Sequence, residues 1–245
     1  MSSVNEVIYG KNVIQEAIKA SRKIHKIYIN QNQQDVYLDM KQVCVTKKIP
    51  LEYIEAKAFD RKFQGSNQGI AAEVAPYEYV TLDTVFEKIQ TKNELPFLII
   101  LDSLEDPHNL GAILRTVDAV GAHAVLIPKH RNVRLNGTVA KVSTGAIEYV
   151  DVVEITNINY VIKDLKKRGV WVIGAEANAL TNYFEQDYNM PLAIVIGSEG
   201  KGISRLVKEN CDFLINIPMV GHVNSLNASV SAALLMYEVY RKRHS

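Results

Sequence analysis

Apolar residues along this 245-residue chain follow two rhythms. From Phe97 onward they gather into unbroken runs of strand length: FLIILDSL (97–104), AVLIP (124–128), VWVIGAE (170–176), LAIVIGSEG (192–200) and FLINIP (213–218). Helical patterns separate them. Such runs belong to strands buried on both faces of a parallel sheet. Residues 7–75 follow a shorter rhythm. GKNVIQEAIKA has helical spacing at Val13, Ile14, Ala17 and Ile18, and KIHKIYIN follows as a strand. DVYLDMKQVCVTKK reads as a second helix, PLEYI as a strand, AKAFDRKF as a short helix and GIAAEVAP as a closing strand. Between the two regions, TLDTVFEKIQTKN forms a modest amphipathic helix bracketed by Pro76 and Pro96. The pattern therefore predicts an α/β chain in three parts: a small α/β domain at 1–75, a linker at 76–96 and a parallel-sheet domain at 97–245.

In parallel sheets the ligand crevice lies beyond the carboxyl ends of the strands, so the loops there carry the candidate chemistry. The first is LDSLEDPHNLGAILRT, residues 101–116. Asp106 is a good N-cap and Pro107 suits the first helical position. Leu110, Ile113, Leu114 and Val117 form the buried stripe, and Arg115 lies off it. A helical side chain leans toward the N-terminus, so Arg115 extends over Gly111, where there is room for something else. Taken alone, Arg115 also reads as an exposed charge beside Asp118.

The second loop, IGSEGKGIS (196–204), is neither a Walker A loop nor a dinucleotide fingerprint, because the required Ser/Thr and third glycine are missing. It is a plain turn or a place where a ligand or a second backbone approaches closely. The third, NIPMVGHVNSLNASVSAALLMYEVY (216–240), carries Asn224, Ser225, Asn227, Ser229 and Ser231, more small polar residues than capping requires.

Composition narrows the picture little. Formal net charge is +1, so a basic partner surface has to be local. From Gly10 to Lys62 there are eleven Lys/Arg against six Asp/Glu, either a solvated surface or a face that meets phosphates, with Lys11, Arg22, Lys23 and Lys26 as the cluster to watch. Cys44 and Cys211 are far apart, and neither the cysteines nor the histidines show metal-ligand spacing, so no metal is expected. Two unpaired cysteines suit a reducing cytoplasm. The first residues show no signal-peptide core, and no apolar run reaches the roughly 20 residues of a membrane helix.

Together the three loops resemble the SpoU branch of the SPOUT RNA methyltransferases. The resemblance rests on DPHNLGAILRT, LAIVIGSEGKGIS and IPMVGHVNSLNASVSAALLMYE, in that order. It continues through GAHAVLIPKHRNVRLNGTVAKVSTGAIEYV and back into YGKNVIQEAI, covering almost the whole chain. The most similar branch methylates a guanosine 2′-hydroxyl of 23S rRNA. One departure is His222, where arginine is expected.

The resemblance implies a deep trefoil knot in the parallel-sheet domain, a rare exception to topology rules. It implies S-adenosyl-L-methionine bound there, a homodimer, and an RNA-binding N-terminal domain. By the same resemblance, Gly197, Ile217, Met219 and Leu226 bind the cofactor, and Asn109, Arg115, Glu199, Ser225 and Asn227 are catalytic or organise the site. Lys129, His130, Arg131, Arg134 and Lys141 become candidates for RNA backbone contact. The substrate is then rRNA, either naked or as a ribosome precursor. Other readings are a tRNA methyltransferase of the same family, an RNA-binding protein without catalysis, and a nucleotide-dependent metabolic enzyme; the missing glycine fingerprint counts against the last.

Overall fold

The computed structural model describes residues 5–64, 67–130, 132–198, 200–222 and 225–245. Among these residues the chain forms two compact units, each with its own sheet. The first comprises residues up to Glu78 together with Leu135–Tyr149, and the second comprises Tyr79–Arg134 and Val150–Ser245.

The first unit is a mixed four-stranded sheet. Strands β1 (Glu6–Tyr9), β2 (Ile24–Asn30), β3 (Leu51–Ile54) and β4 (Ile70–Val74) lie in the order β1-β4-β2-β3. The β1–β4 and β2–β4 pairs are antiparallel and β2–β3 is parallel. Helix α1 (Lys11–Lys19) buries the expected Val13, Ile14, Ala17 and Ile18. Helices α2 (Leu38–Lys47) and α3 (Ala56–Lys62) add Met40, Cys44 and Phe59 to the buried set.

The unit's boundaries differ from those expected at 75 and 97. Residues 135–149 complete the first unit rather than the second. Gly137, at the start of a short helix, lies so close to β1 that a Cβ there would sit 2.3 Å from the Val7 carbonyl oxygen. Arg22 ties this segment in. Its guanidinium pairs with Glu6 and Glu148, each at 3.0 Å, donates to the Ala75 carbonyl, and stacks 3.4 Å over the Tyr77 ring. Arg22 is thus a buried structural ion and not part of an RNA-facing cluster. Lys11 and Lys26 are also engaged, with Asp39 and Glu52. Because breaking a buried pair leaves an uncompensated charge, Arg22→Met is expected to destabilise the protein by about 3–5 kcal/mol. Denaturant unfolding measures this directly, and a loss below about 1 kcal/mol would mean that the pair is effectively solvated.

In the second unit, α4 (Leu82–Lys92) is not a linker. Val85 and Ile89 join one core cluster with Leu98, Ile100 and Val153, because the helix has an apolar face to cover. The sheet runs β7 (Asp151–Ile155), β6 (Ala124–Pro128), β5 (Phe97–Asp102), β10 (Leu192–Gly197), β8 (Trp171–Ala175), β11 (Phe213–Asn216), β9 (Thr181–Asn182). Every pairing is parallel. The five expected strands are all present. Strands β7 and β9 were not marked by long apolar runs, β9 being only two residues. In register, Gly197 lies opposite Asp102 and Leu214 opposite Gly174, so the loops after β5, β10, β8 and β11 share one edge. No helix among the described residues is long and apolar enough to cross a membrane.

Candidate active site

The first loop builds as its sequence dictates. The Asp106 carboxylate accepts the His108 backbone N–H at 2.9 Å and caps α5 (Pro107–Val120). Leu110, Ile113, Leu114 and Val117 are fully buried. Arg115 is exposed, as expected. Gly111, however, is buried, so the surface over that turn is covered rather than bare. Helix α5 packs against α9 (Ala228–Arg243), the helix that follows the third loop.

Asn109 is only 6% exposed, and one polar partner comes from 118 residues away. Asn227 Nδ2 donates to Asn109 Oδ1 at 2.9 Å. The other end of the same amide caps α9: Asn227 Oδ1 accepts from Ser229 N, Ser229 Oγ and Val230 N. One side chain thus starts a helix and fixes the first loop to the third. Glu199, expected with them, lies outside the described residues, as do Arg131 and Asn224.

The four expected cofactor positions meet. Gly197, Ile217, Met219 and Leu226 line one cavity of about 350 Å³. Ser225, expected to be catalytic, lines it too. One wall was not marked in the sequence: Ala175–Asn178, after β8, and Lys208, whose ammonium pairs with Glu176 at 2.6 Å. Glu176 does end an apolar strand run, so the strand-end rule that found the other loops applied here as well.

The glycines of the second loop have separate causes. A Cβ on Gly197 would lie 2.1 Å from the Gly202 carbonyl carbon, because that backbone rests on Gly197. Gly200 and Gly202 instead have φ of +78° and +62°, where side chains are strained. The first and second loops are joined at Asp102, whose Oδ2 accepts from Ser204 N at 2.8 Å and whose Oδ1 accepts from Ser103 Oγ. Between these two loops is a second cavity of about 530 Å³, lined by Ser103, Leu104, Glu105 and Asn109 and sharing Ser198, Lys201 and Gly202 with the first.

Of the basic stretch, Lys129, His130 and Arg134 are exposed on the loop after β6, while Lys141 sits on α6 (Gly137–Val142) of the first unit. The cysteines supply no thiolate: burial pushes the Cys44 thiol up and the Cys211 thiol up to about 12.

Comparison with known proteins gives the family and the fold. A family model for the SpoU rRNA methylase family matches residues 96–237, and one for RNA 2′-O ribose methyltransferase substrate binding matches residues 7–80. The chain is 51% identical, over its whole length and 98% of the other protein, to a Bacillus subtilis protein assigned to the TrmH family of tRNA/rRNA methyltransferases. It resembles a crystal structure of an RNA 2′-O ribose methyltransferase at 27% identity and TM-score 0.79, over all of this chain and 91% of that one. The fold is also that of the SpoU methyltransferase AviRb from Streptomyces viridochromogenes in complex with AdoMet, at 22% identity and TM-score 0.81 over 98% and 91% of the two chains.

Proposed function

Because the chain belongs to the SpoU rRNA methylase family, we propose that it methylates the ribose 2′-hydroxyl of a guanosine in 23S rRNA, using S-adenosylmethionine, in the cytoplasm. The observation that carries this reading is the Asn227–Asn109 hydrogen bond, which fixes two distant loops beside the cavity that gathers Gly197, Ile217, Met219 and Leu226.

The residues fit the cofactor. Apolar Ile217, Met219 and Leu226 suit an adenine face, and the bare Gly197 lets backbone pass closely. When bound, the cofactor supplies a methyl group on a sulfonium centre. The protein aligns the ribose hydroxyl and stabilises the charge that develops on its oxygen. We assign that electrostatic role to Arg115, since a guanidinium remains a cation at working pH. Asn109, Ser225 and Asn227 hold the geometry, and Glu199 joins them by family resemblance. The deep trefoil knot that the resemblance implies belongs to the same reading.

The homodimer is part of the proposal as well. Helix α9 exposes Val230, Leu234, Tyr237 and Tyr240 at helical spacing, an apolar stripe suited to a second copy. Sedimentation of the purified protein at micromolar concentration should give a dimer and Leu234→Asp a monomer; a monomeric wild type would sink this part.

The function is tested with labelled S-adenosylmethionine and rRNA from cells lacking the enzyme. One methylated 23S guanosine is expected. Labelling of tRNA instead would replace the target, and no cofactor binding by calorimetry would overturn the reading.

A further inference from the structure

We propose that the second cavity seats the target guanosine and that Glu105 reads its base, accepting guanine N1–H and N2–H on the two carboxylate oxygens. This rests on the RNA 2′-O-methyltransferase reading and goes one step further, to how the nucleotide is chosen.

The cavity is placed for the substrate. It is lined by Asn109, and it shares Ser198, Lys201 and Gly202 with the candidate cofactor cavity. A nucleoside on one side and a methyl donor on the other therefore meet across a common wall.

Three carboxylates line this cavity: Asp102, Glu105 and Asp106. Two have structural partners. Asp102 accepts from Ser204 N and Ser103 Oγ, and Asp106 accepts from His108 N. Glu105 is exposed and has no hydrogen-bond or ion-pair partner among the described residues. A carboxylate without a protein donor of its own, facing RNA, repels the phosphates unless donors of the bound nucleotide meet it. Unpaired bases are read on their Watson–Crick edges. Guanine offers two adjacent N–H donors there, a match for two carboxylate oxygens. Adenine and cytosine each pair one donor with an acceptor nitrogen, and uracil places one donor between two carbonyls.

A second, independent feature sits at the same rim. Val133 N donates to Leu104 O at 2.8 Å, which pins the basic loop after β6 beside the Ser103–Glu105 loop. That loop carries the exposed Lys129, His130 and Arg134, cations that suit phosphate. Between them, Asn132 has both amide atoms shielded from solvent with no protein partner among the described residues.

The test uses transcripts of the 23S segment that the wild type methylates, with guanosine, inosine or adenosine at the target position. Inosine lacks the N2 amino group alone. Wild type should prefer guanosine to inosine about tenfold in kcat/KM, the discrimination of one good base contact. Glu105→Ala removes the acceptor of N1–H as well as that of N2–H, so its guanosine and inosine rates should converge at or below the wild-type inosine rate. Glu105→Gln, with one acceptor and one donor, should shift preference toward adenosine. Cofactor affinity should not move in either variant. If the variants keep the wild-type guanosine-to-inosine ratio, the inference fails while the enzyme stands. If wild type methylates no RNA, the underlying reading fails instead.

Discussion

Arg115→Ala should lower methyl transfer about 100- to 1000-fold, the loss seen when one preorganised donor to a developing oxyanion is removed, while cofactor affinity stays within about twofold of wild type. Arg115 projects from the exposed side of α5, and the same helix holds Asn109 in its bond to Asn227. The helix is anchored by its cap and by Leu110, Ile113, Leu114 and Val117, none of which depends on the guanidinium. With that anchor kept, the helix should stay folded, and any stability loss should be small beside the loss of rate. A large rate loss without a stability loss separates a site residue from a structural one. Arg115→Lys keeps the charge and loses the fork of donors, so an intermediate rate is expected. Single-turnover transfer to the target RNA, with calorimetry for the cofactor, makes the measurement. A rate within about threefold of wild type for Arg115→Ala would return this arginine to the solvated surface.

The site was legible in the sequence to the extent that local chemistry builds it. Asp106 and Pro107 start α5 where capping rules place them, and the Leu110–Val117 stripe is buried in full. The apolar runs gave the sheet its buried strands, and the loops beyond their carboxyl ends brought Gly197, Ile217, Met219 and Leu226 to one cavity. What escaped was choice of partner. Periodicity says that α4 has a face to bury but not against which core, so the helix passed for a linker. Charge counting cannot tell a solvated arginine from Arg22, whose guanidinium lies between Glu6, Glu148 and Tyr77. The same blindness hid the packing of Leu135–Tyr149, since the contacts that join it to the first compact unit reach back to β1. Gly111 was read as open space because only its neighbours along the helix are visible in sequence, and tertiary packing buries it. Asn227 shows both sides: its helix cap is local and was foreseeable, whereas its bond to Asn109 is not.

Gly197→Ala should weaken S-adenosylmethionine binding by about 100-fold or more, an effect of close packing and not of backbone dihedral. The added methyl would lie 2.1 Å from the Gly202 carbonyl carbon, 2.2 Å from its oxygen and 2.4 Å from Ile203 N. All three atoms are backbone, so no rotamer change relieves the overlap. The second loop has to move, and it carries Lys201 and Gly202, which line both cavities, and Ser204, which is bonded to Asp102. The displacement therefore reaches the cofactor wall and the first loop together. A stability loss of about 1–3 kcal/mol should accompany it, the usual cost of overpacking. Gly200→Ala provides the contrast. Gly200 has φ +78° with nothing within 4 Å of a new methyl, so only the left-handed backbone is penalised, by about 1–2 kcal/mol. Cofactor affinity should fall far less there, because the loop keeps its seat on Gly197. Calorimetric titration of both variants decides between them. Equal losses at 197 and 200 would mean that general loop stiffness, and not the backbone passage over Gly197, shapes the pocket.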